Sequence, residues 1–548
     1  MPPPPKTNSP LFTFNSHSKK VNCIPFKIID IRKRTNPKLA IMKLLLQILF
    51  CTALSNSTFA ITQYVTSTGS GTQDGSTWAN AAPNNSLQTI IDASSAGDEV
   101  WVACGTYATT TTADRSISFN MKNGVAIYGG FAGTETDLSQ RVFSCGPCSI
   151  LSGDIGAAGN TDNSYKVVSN ELLDSTAILD GFVISGGNDD RTPSNSGNGL
   201  GGGIYNHGFG AAGFCHPTIR NCILTDNFAS WGAGAFNNGY NNGTTEPTYI
   251  NCIFHQNHAY IEAGGMDSYG VGGNASPTII NSIFYANTSA TNVGAMYAWG
   301  GNAGGNSHPV LINCVFANNT AMNGYGGAFI AENLDENETT SSGSCTVTLQ
   351  NCAVWNNTAT GEGQQFYIRG VGAEVIATYS DIDMTGQSAP HIISGSGTGN
   401  LNTNPQFVDL LNALGADACW LTADDGLQLQ NSSPLINSGN STGAPTSDIL
   451  GIAHLGNPDI GAYENQAALQ LTESQIGDFD LYPNPASDKL TIDFQDNSEH
   501  RIELYNVYGQ VIQSEIVSDS KVLNVSDLTN GLYLIQIDAS RTAKFIKE

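Results

Sequence analysis

The phrase Pro217-Thr-Ile-Arg-Asn-Cys-Ile-Leu-Thr-Asp-Asn227 decides the fold, because the chain returns to it four times. The later copies run from Pro247 to Asn257, from Pro277 to Asn287, from Pro309 to Asn319 and, with more drift, from Val347 to Asn357. Their central asparagines are spaced by 30, 30, 32 and 38 residues, at Asn221, Asn251, Asn281, Asn313 and Asn351. A period in this range is typical of a solenoid or of an array of small units.

The composition of the unit selects one kind of solenoid. Each copy combines a short β-branched and aromatic stretch with a glycine-rich one such as Gly234-Ala-Phe, and none contains a helical period. Glycine and asparagine favour turns with left-handed backbone angles. The unit also lacks the four strands of a propeller blade. We therefore predict a right-handed parallel β-helix, in which each repeat forms one coil and equivalent residues stack about 4.8 Å apart.

Stacking gives each repeated residue a physical role. The central asparagines can pass amide hydrogen bonds from one coil to the next. A second column consists of small residues, namely Cys222, Cys252, Ser282, Cys314 and Cys352. A third column is apolar, namely Leu224, Phe254, Phe284, Phe316 and Val354. We expect the second and third columns to lie inside the coil.

Composition and charge exclude some functions. The chain has 548 residues, 60 glycines and 13% charged residues, which suits an all-β solenoid. Residues 1–43 hold nine of the 22 basic residues and one of the 47 acidic residues, so the remainder has 13 basic and 46 acidic residues, a net charge of −33. Such a body is a poor partner for nucleic acid or an anionic membrane surface. A solvated acidic surface is a better explanation of these residues than the binding of divalent cations.

The N-terminal region has the pattern of an export signal. Residues 42–60 have a basic start, an apolar run and a small residue at the end, and the run is too short for a transmembrane anchor. We interpret residues 1–41, which are basic and rich in proline, as a non-native, disordered extension, with translation starting at Met42. The ending Ser57-Thr-Phe-Ala60 favours signal cleavage over a lipoprotein site at Cys51.

Ten of the twelve cysteines follow the signal, and export permits disulfides. The pair Cys145-Gly-Pro-Cys148 has the spacing of a redox motif but lies in a loop rich in glycine and serine, which favours structural thiols or a local disulfide. Cys215 with Cys222, and Cys345 with Cys352, share a spacing of seven and could join loops to the coil. The pairing stays open at this point.

These repeats resemble the right-handed parallel β-helix proteins that bacteria of the Bacteroidetes type secrete, which are related to pectate-lyase-like folds. The resemblance covers residues 61–400 and includes a short amphipathic helix at Ser86–Ala93, which we expect to cap the open end of the solenoid. The motifs are specific for the fold and say little about activity.

Two further resemblances follow along the chain. Residues 401–465, with Asp448-Ile-Leu-Gly451 and Asp459-Ile-Gly-Ala-Tyr-Glu464, resemble the choice-of-anchor Q region that ends such solenoids; we read it as a cap without a binding role. After a linker at 466–478, residues 479–548 resemble the type A C-terminal sorting domain of the type IX secretion system, an immunoglobulin-like β-sandwich. This resemblance implies contact with the secretion machinery, passage through the periplasm, and a final location outside the cell or on the outer-membrane surface.

Candidate catalytic residues are few. The resemblance to pectate-lyase-like enzymes implies Ca²⁺ on clustered carboxylates and a Lys or Arg base. Between residues 175 and 370 the chain has no Lys and three Arg, of which Arg220 is the best placed. A local cluster, His255-x-x-His258 with Glu262 and Asp267, could supply acids, bases or metal ligands; solvated loop residues are the alternative reading. We expect His255 to face outward. The candidate catalytic set is Arg220, His255, Glu262 and Asp267, and the candidate metal set is His255, His258 and Glu262.

Outward aromatic residues suggest a glycan. Aromatic rings stack on sugar rings, and a solenoid offers a long groove to a polymer. The candidates for glycan binding are Trp231, Tyr285, Trp299 and Trp355. The sequence thus predicts a secreted or surface β-helix protein that binds glycan or mediates adhesion without catalysis; the alternative is a polysaccharide lyase or glycoside hydrolase. Convergence of Arg220 with carboxylates in one groove would separate the two.

Overall fold

The computed structural model describes residues 60–548 apart from 158, 195–196, 338, 340–341, 388–396, 467–478, 495, 497, 507–510, 519 and 539–540. The extension at 1–41, all but the last residue of the signal at 42–60, and all but the first residue of the linker at 466–478 lie outside the described residues. From Thr62 to Ile382 the chain forms a parallel β-helix, which confirms the predicted fold class.

Two sheets of the β-helix contain the strands on either side of the repeated Asn-Cys/Ser core. Sheet 1 consists of Thr62–Val65, Glu99–Ala103, Ala126–Phe131, Ile178–Asp180, Thr218–Arg220, Thr248–Ile250, Thr278–Ile280, Val310–Ile312, Ser344–Gln350 and Ala373–Thr378, with the short strands Phe214–Cys215, Thr244–Thr245, Asn274–Ala275 and Asn306–Ser307. Sheet 2 consists of Gly105–Ala108, Ser149–Ser152, Phe182–Ser185, Ile223–Thr225, Ile253–His255, Ile283–Tyr285, Val315–Ala317, Ala353–Trp355 and Asp381–Ile382.

The remaining two sheets complete each coil. Sheet 3 consists of Val168–Glu171, Ile204–His207, Ala235–Asn238, Met266–Tyr269, Met296–Trp299, Phe329–Glu332 and Phe366–Arg369. Sheet 4 consists of Asn188–Asp189, Phe228–Trp231, His258–Glu262, Thr288–Ser289, Thr320–Ala321 and Thr358–Ala359. Neighbouring strands are parallel, as when Ala235 pairs with Met266 in sheet 3. A residue therefore meets its counterpart one coil away.

Short helices accompany the first coils. The α-helix Leu87–Ala93 buries Leu87 and Ile91 against the interior of the β-helix. It covers apolar side chains that the first coil would otherwise expose. The 3₁₀ helices are Trp78–Asn80, Asn84–Ser86 and Leu138–Gln140.

The interior of the β-helix is a continuous apolar core. The four cysteines of the second column are fully buried in this core, and so are the residues of the third, apolar column. The rings of Phe254 and Phe284 stack in parallel with centroids 4.4 Å apart, and Phe316 continues the stack at 4.5 Å. These contacts hold successive coils in register.

The repeats contain two columns of asparagines, and the hydrogen-bonded ladder that we expected for the central asparagines is formed mainly by the second column. The central asparagines have φ near +50°, for example +52° at Asn221, so their first role is to form a left-handed turn. Only some of them are joined by amide hydrogen bonds, such as Asn251 to Asn221 at 3.0 Å. The unbroken ladder is formed by the asparagines six positions later, with amide contacts of 2.8–3.0 Å. Its members are Asn227, Asn257, Asn287, Asn319 and Asn357.

The closing segment, residues 401–465, packs along the side of the β-helix rather than only at its end. Its apolar residues, including Phe407 and Trp420, form one core with the outward side chains of sheet 2, including Ile253 and Ile283. Buried acids hold the segment together; the Asp459 carboxylate, for example, accepts hydrogen bonds from the backbone of Asn437 and Asn465. The repeated Asp phrases of this segment thus bind backbone amides.

Two disulfides correct the expectations for the cysteines. Cys104 is bonded to Cys148, and Cys145 to Cys419, so the two cysteines of the Cys-Gly-Pro-Cys motif have separate distant partners. The second bond joins the closing segment to an early loop. Cys215, Cys222, Cys345 and Cys352 are buried free thiols, so the seven-residue spacing does not mark disulfides. It reflects two inward positions of one coil.

The C-terminal domain consists of two antiparallel sheets. One contains Phe479–Tyr482, Lys489–Phe494 and Lys521–Asn524, and the other contains His500–Tyr505, Val511–Val517, Gly531–Ile537 and Arg541–Lys547. Their inward faces share one apolar core that includes Leu490, Ile535 and Phe545. Among the described residues, no helix is long and apolar enough to cross a membrane.

Candidate functional site

The outward face of sheet 3 carries several aromatic residues. Alternation along each strand directs Ile204, Met266 and Met296 into the interior core and the following residue outward. The outward positions are occupied by Tyr205, Phe236, Asp267, Tyr297, Ile330 and Tyr367 in successive coils. Two positions further along each strand come His207, Asn238, Tyr269, Trp299, Glu332 and Arg369.

A pocket lies near the middle of this face. We name it the Trp231 pocket; its walls are Pro193, Ser194, Leu200, Trp231, Phe236, Asn238, Tyr240 and Tyr269, and its volume is about 120 Å³. The ring centroid of Tyr269 lies 5.9 Å from that of Trp231 and 5.6 Å from that of Tyr240. These contacts fix three aromatic rings around one space.

The polar groups of the pocket are held in place. Asn238 donates from Nδ2 to the Tyr205 hydroxyl at 2.8 Å and accepts at Oδ1 from the backbone of Tyr240 at 3.1 Å. The indole Nε1 of Trp231 is buried without a hydrogen-bond partner in the described part of the chain. No charged side chain is among the lining residues. The pocket therefore combines aromatic rings with fixed polar groups and lacks an ionic group.

A buried lysine supports one wall of the pocket. Lys166 Nζ donates to the carbonyl oxygens of Gly197, at 2.8 Å, and of Leu200, and it forms an ion pair with Asp189 at 2.7 Å. Burial lowers the pKa of Lys166 to about 8, although Asp189 opposes the change. These bonds hold Gly197 and Leu200 in place, and Leu200 is part of the wall of the Trp231 pocket. Lys166 also lines a neighbouring pocket of about 330 Å³, together with Arg191 and His207.

Lys166 was not among the candidates from the sequence, because it lies before the range 175–370 in which we considered basic residues. Its neighbourhood also contains Tyr165, whose ring lies between the guanidinium carbons of Arg115, at 4.4 Å, and of Arg191, at 3.9 Å. Arg191 is itself held by Asp189 at 2.7 Å. A lysine inside the otherwise apolar run Tyr165-Lys-Val-Val168 is the signal that could have marked this position.

Asp267 and Glu332, two acidic residues of sheet 3, lie in different environments. Asp267 is fully buried, and neither of its carboxylate oxygens has a hydrogen-bond partner within the described residues. Burial, and secondarily the charge of Glu262, raise the pKa of Asp267 well above its usual value. Glu332 accepts a hydrogen bond from the Tyr297 hydroxyl at 2.7 Å and pairs with Arg369 at 3.2 Å. Asp267 has no route to a ligand in this arrangement.

The histidine cluster is divided among three sheets, which corrects the candidate metal set. His255 is on sheet 2, His258 and Glu262 are on sheet 4, and Asp267 is on sheet 3. His258 Nδ1 lies 2.7 Å from the Thr288 hydroxyl. No group of three or more His, Cys, Asp or Glu in the described ranges has the arrangement of a metal site.

His255 faces outward from the coil but is covered. Trp420 of the closing segment packs edge-on against its ring at 5.4 Å, which leaves His255 only 7% exposed. Burial lowers the pKa of His255 to about 4, so it is neutral at pH 7. The expectation that His255 is accessible is wrong, because the closing segment covers this part of sheet 2.

Arg220 is part of an ion network on sheet 1. Its Nε donates to Asp180, whose buried carboxylate also accepts from Arg141 at 2.7 Å and from Asn221 at 2.9 Å. Arg220 and the acids of sheet 3 lie on different sheets. Arg220 therefore meets the Asp180 carboxylate and does not converge with the candidate acids Glu262 and Asp267.

The aromatic candidates are placed in different settings. Trp231 lines the pocket described above. Trp299 is partly buried, and its Nε1 donates to the Leu334 carbonyl at 2.8 Å, so it forms part of the wall beyond Tyr269. Tyr285 is buried and donates to the Leu410 carbonyl at 3.1 Å, which removes it from the surface. Trp355 is partly exposed at the edge of the closing segment.

Comparison with known proteins identifies the C-terminal domain. Residues 480–548 match the family model described as the secretion system C-terminal sorting domain. The chain carries a sorting domain of the type IX secretion system. The protein is therefore exported, through the periplasm, to the cell surface or the exterior.

Two further comparisons concern the rest of the chain. Ulvan lyase NLR42 of Nonlabens ulvanivorans is 25% identical over 210 residues, which are 34% of this chain and 37% of the lyase. The match thus spans little more than a third of that relative. Pectate lyase Pel9A is a similar solved structure, with a TM-score of 0.42 and 15% identity over 75% of this chain and 98% of its own.

Proposed function

We propose that this exported β-helix protein binds an uncharged polysaccharide at the Trp231 pocket and does not cleave it. The observation that carries the proposal is the group of three fixed rings, Trp231, Tyr240 and Tyr269, around a pocket without a charged wall. Aromatic faces stack on the apolar faces of sugar rings.

Charge supports an uncharged ligand. The chain beyond residue 43 has a net charge of −33, and a body of that sign repels an anionic polymer over the Debye length, which is about 8 Å at physiological ionic strength. Lys166 and Arg191, the cations beside the pocket, are both engaged by Asp189. A uronate or sulfate group would find no unpaired cation among the pocket's lining residues.

Binding without cleavage is supported by the position of the candidate catalytic groups. Arg220 is paired with Asp180, His255 is covered by Trp420, and Asp267 is fully buried. None of the three lines the pocket. The similarity to ulvan lyase NLR42 over part of the chain supports a polysaccharide as the class of ligand. An adhesive role at the cell surface would follow from such binding.

The test is electrophoresis of the full chain through gels that contain one polysaccharide each. Glucan, xylan and galactomannan represent neutral chains, and alginate and polygalacturonate represent charged chains. We expect retardation by at least one neutral polysaccharide, unchanged at raised salt, and a loss of about tenfold in affinity in Trp231→Ala. The control is Tyr260→Ala, which removes an aromatic ring that is 62% exposed on sheet 4. Equal retardation of Trp231→Ala and the control would refute the proposed site.

One observation favours cleavage as a second candidate. Burial first, and the charge of Glu262 second, raise the pKa of the Asp267 carboxyl well above its usual value, and a carboxyl with a raised pKa is used for general acid catalysis. This candidate requires the groove to open above Asp267. It predicts new chain ends in the same mixtures and their disappearance in Asp267→Asn. If a polysaccharide that retards the protein shows no new chain ends, binding without cleavage remains the function.

A further inference from the structure

A second pocket lies where the closing segment meets sheet 2. We name it the Trp355 pocket; it is lined by Trp355, Asn404, Gln406, Phe407, Leu410 and Gln430, and its volume is about 400 Å³. Trp355 belongs to the β-helix, and the other five residues belong to the closing segment. The pocket thus exists only when the closing segment is docked on the coils.

The position of Trp355 explains why this pocket is open. Along the same outward column, His255 is covered by Trp420, and Tyr285 is covered by the backbone at Leu410. Ala317, the next position, is fully buried. Trp355 follows Ala317 and remains partly exposed. The closing segment therefore covers the column up to Trp355 and leaves the indole ring as one wall of an open cavity.

The polar groups of the pocket have unused hydrogen-bonding capacity. Gln406 accepts at Oε1 from Ser432 at 2.6 Å, and Gln430 donates from Nε2 to the Phe407 carbonyl at 2.9 Å, so both side chains are oriented by one of their two polar atoms. Within the described residues, Gln406 Nε2, Gln430 Oε1, Asn404 Nδ2 and Trp355 Nε1 have no partner. The pocket offers three donors and an acceptor.

The chemistry of these groups defines the ligand. Amide donors and acceptors match sugar hydroxyls, which both donate and accept, and the indole ring provides a stacking surface. No side chain with a formal charge lines the cavity. We propose that the Trp355 pocket is a second carbohydrate site, which binds an uncharged oligosaccharide on a different sheet from the Trp231 pocket. The closing segment then has a binding role in addition to its packing role.

The two pockets can be tested separately by counting bound ligands. Isothermal titration of the full chain would use neutral tetrasaccharides of glucose, xylose, mannose and galactose. We expect two molecules bound per chain by the wild type, one by Trp355→Ala, one by Trp231→Ala and none by the double variant. Trp355→Phe, which keeps a ring, should retain the site with reduced affinity. Tyr260→Ala again serves as the control, and the thermal unfolding of each variant verifies that it is folded.

Each outcome bears on one proposal. Unchanged stoichiometry and affinity in Trp355→Ala, with all binding lost in Trp231→Ala, would overturn the second site and leave the proposed function in place. Loss of all binding in Trp355→Ala, with none lost in Trp231→Ala, would support the second site and refute the first. A wild-type chain that binds no tetrasaccharide would overturn both.

Discussion

Asn287 satisfies both polar atoms of its side chain inside the coil stack. Its Nδ2 donates to Asn319 at 2.9 Å and to the Phe254 carbonyl at 2.8 Å, and its Oδ1 accepts from Asn257 at 3.0 Å. Because the residue is fully buried, each of these bonds replaces one to water. The second asparagine of the repeat is therefore the one that joins the coils.

Replacing Asn287 by Ala should destabilise the β-helix by about 3 kcal/mol, because buried neighbours in two coils lose their partners. Asn85→Ala is the matched control, since Asn85 is exposed and its removal should change the free energy of unfolding by less than about 0.5 kcal/mol. Urea denaturation of both variants measures the difference. Equal midpoints for the two variants would show that the ladder does not stabilise the fold.

Asp267 should make stability depend on pH in the opposite direction from a salt-bridged carboxylate. Its pKa is raised on folding, so the folded state holds a proton that the unfolded state releases above its ordinary pKa of 3.8. Its contribution to stability is therefore present at low pH and is lost as the pH rises from 3.8 toward the raised value.

The variant Asp267→Asn cannot release this proton. Its free energy of unfolding relative to the wild type should increase between pH 4.5 and pH 7.5, as measured by urea denaturation at each pH. Asn85→Ala, a change at an exposed residue that does not titrate, should give a difference that does not vary with pH. A relative stability of Asp267→Asn that is flat or falls with pH would contradict the buried, protonated state.

Among the elements, the closing segment departs most from what its sequence predicted. The stacking of the repeats can be predicted from the sequence, because each residue contacts its counterpart in the next repeat, about 30 residues away. The closing segment has no such period. Its contact with His255 involves Trp420, 165 residues later, and its covalent link joins Cys145 to Cys419, 274 residues apart.

The same difference explains which site residues could be predicted. The outward positions of Trp231 and Trp355 follow from the alternation of residues along each strand. The burial of His255 and Tyr285 does not, because it depends on a segment that packs on the column from the side. The identity of residues 401–465 as a choice-of-anchor Q region stays a prediction.

The disulfide between Cys145 and Cys419 should hold the closing segment against sheet 2. Replacing both cysteines by serine should lower the free energy of unfolding by about 3 kcal/mol and speed amide exchange within residues 401–465. The control is the double change of Cys104 and Cys148 to serine, which breaks a bond confined to the early coils.

In the control, exchange should rise near residues 104 and 148 and not in the closing segment. Amide exchange in residues 401–465 that is the same with and without the Cys145–Cys419 bond would show that apolar packing alone holds the segment. The Trp355 pocket would then be independent of this disulfide.

At the scale of the whole molecule, a sorting domain of known type follows a β-helix that carries two aromatic pockets without charged lining residues. The sorting domain at residues 480–548 directs the protein to the cell surface or the exterior. The strongly acidic body disfavours contact with anionic surfaces, and we propose that the two pockets select ligands by ring stacking and by hydrogen bonds to hydroxyl groups. The coils supply the rigid platform on which both pockets are built.

The most direct test of this account is a crystal structure of the full chain with the best-retained neutral oligosaccharide. We predict an intact oligosaccharide with one sugar ring against Trp231 and Tyr269. A shortened oligosaccharide beside Asp267 would show that the protein cleaves its ligand. An outward face of sheet 3 that stays empty while the oligosaccharide is bound elsewhere would contradict the Trp231 pocket as the binding site.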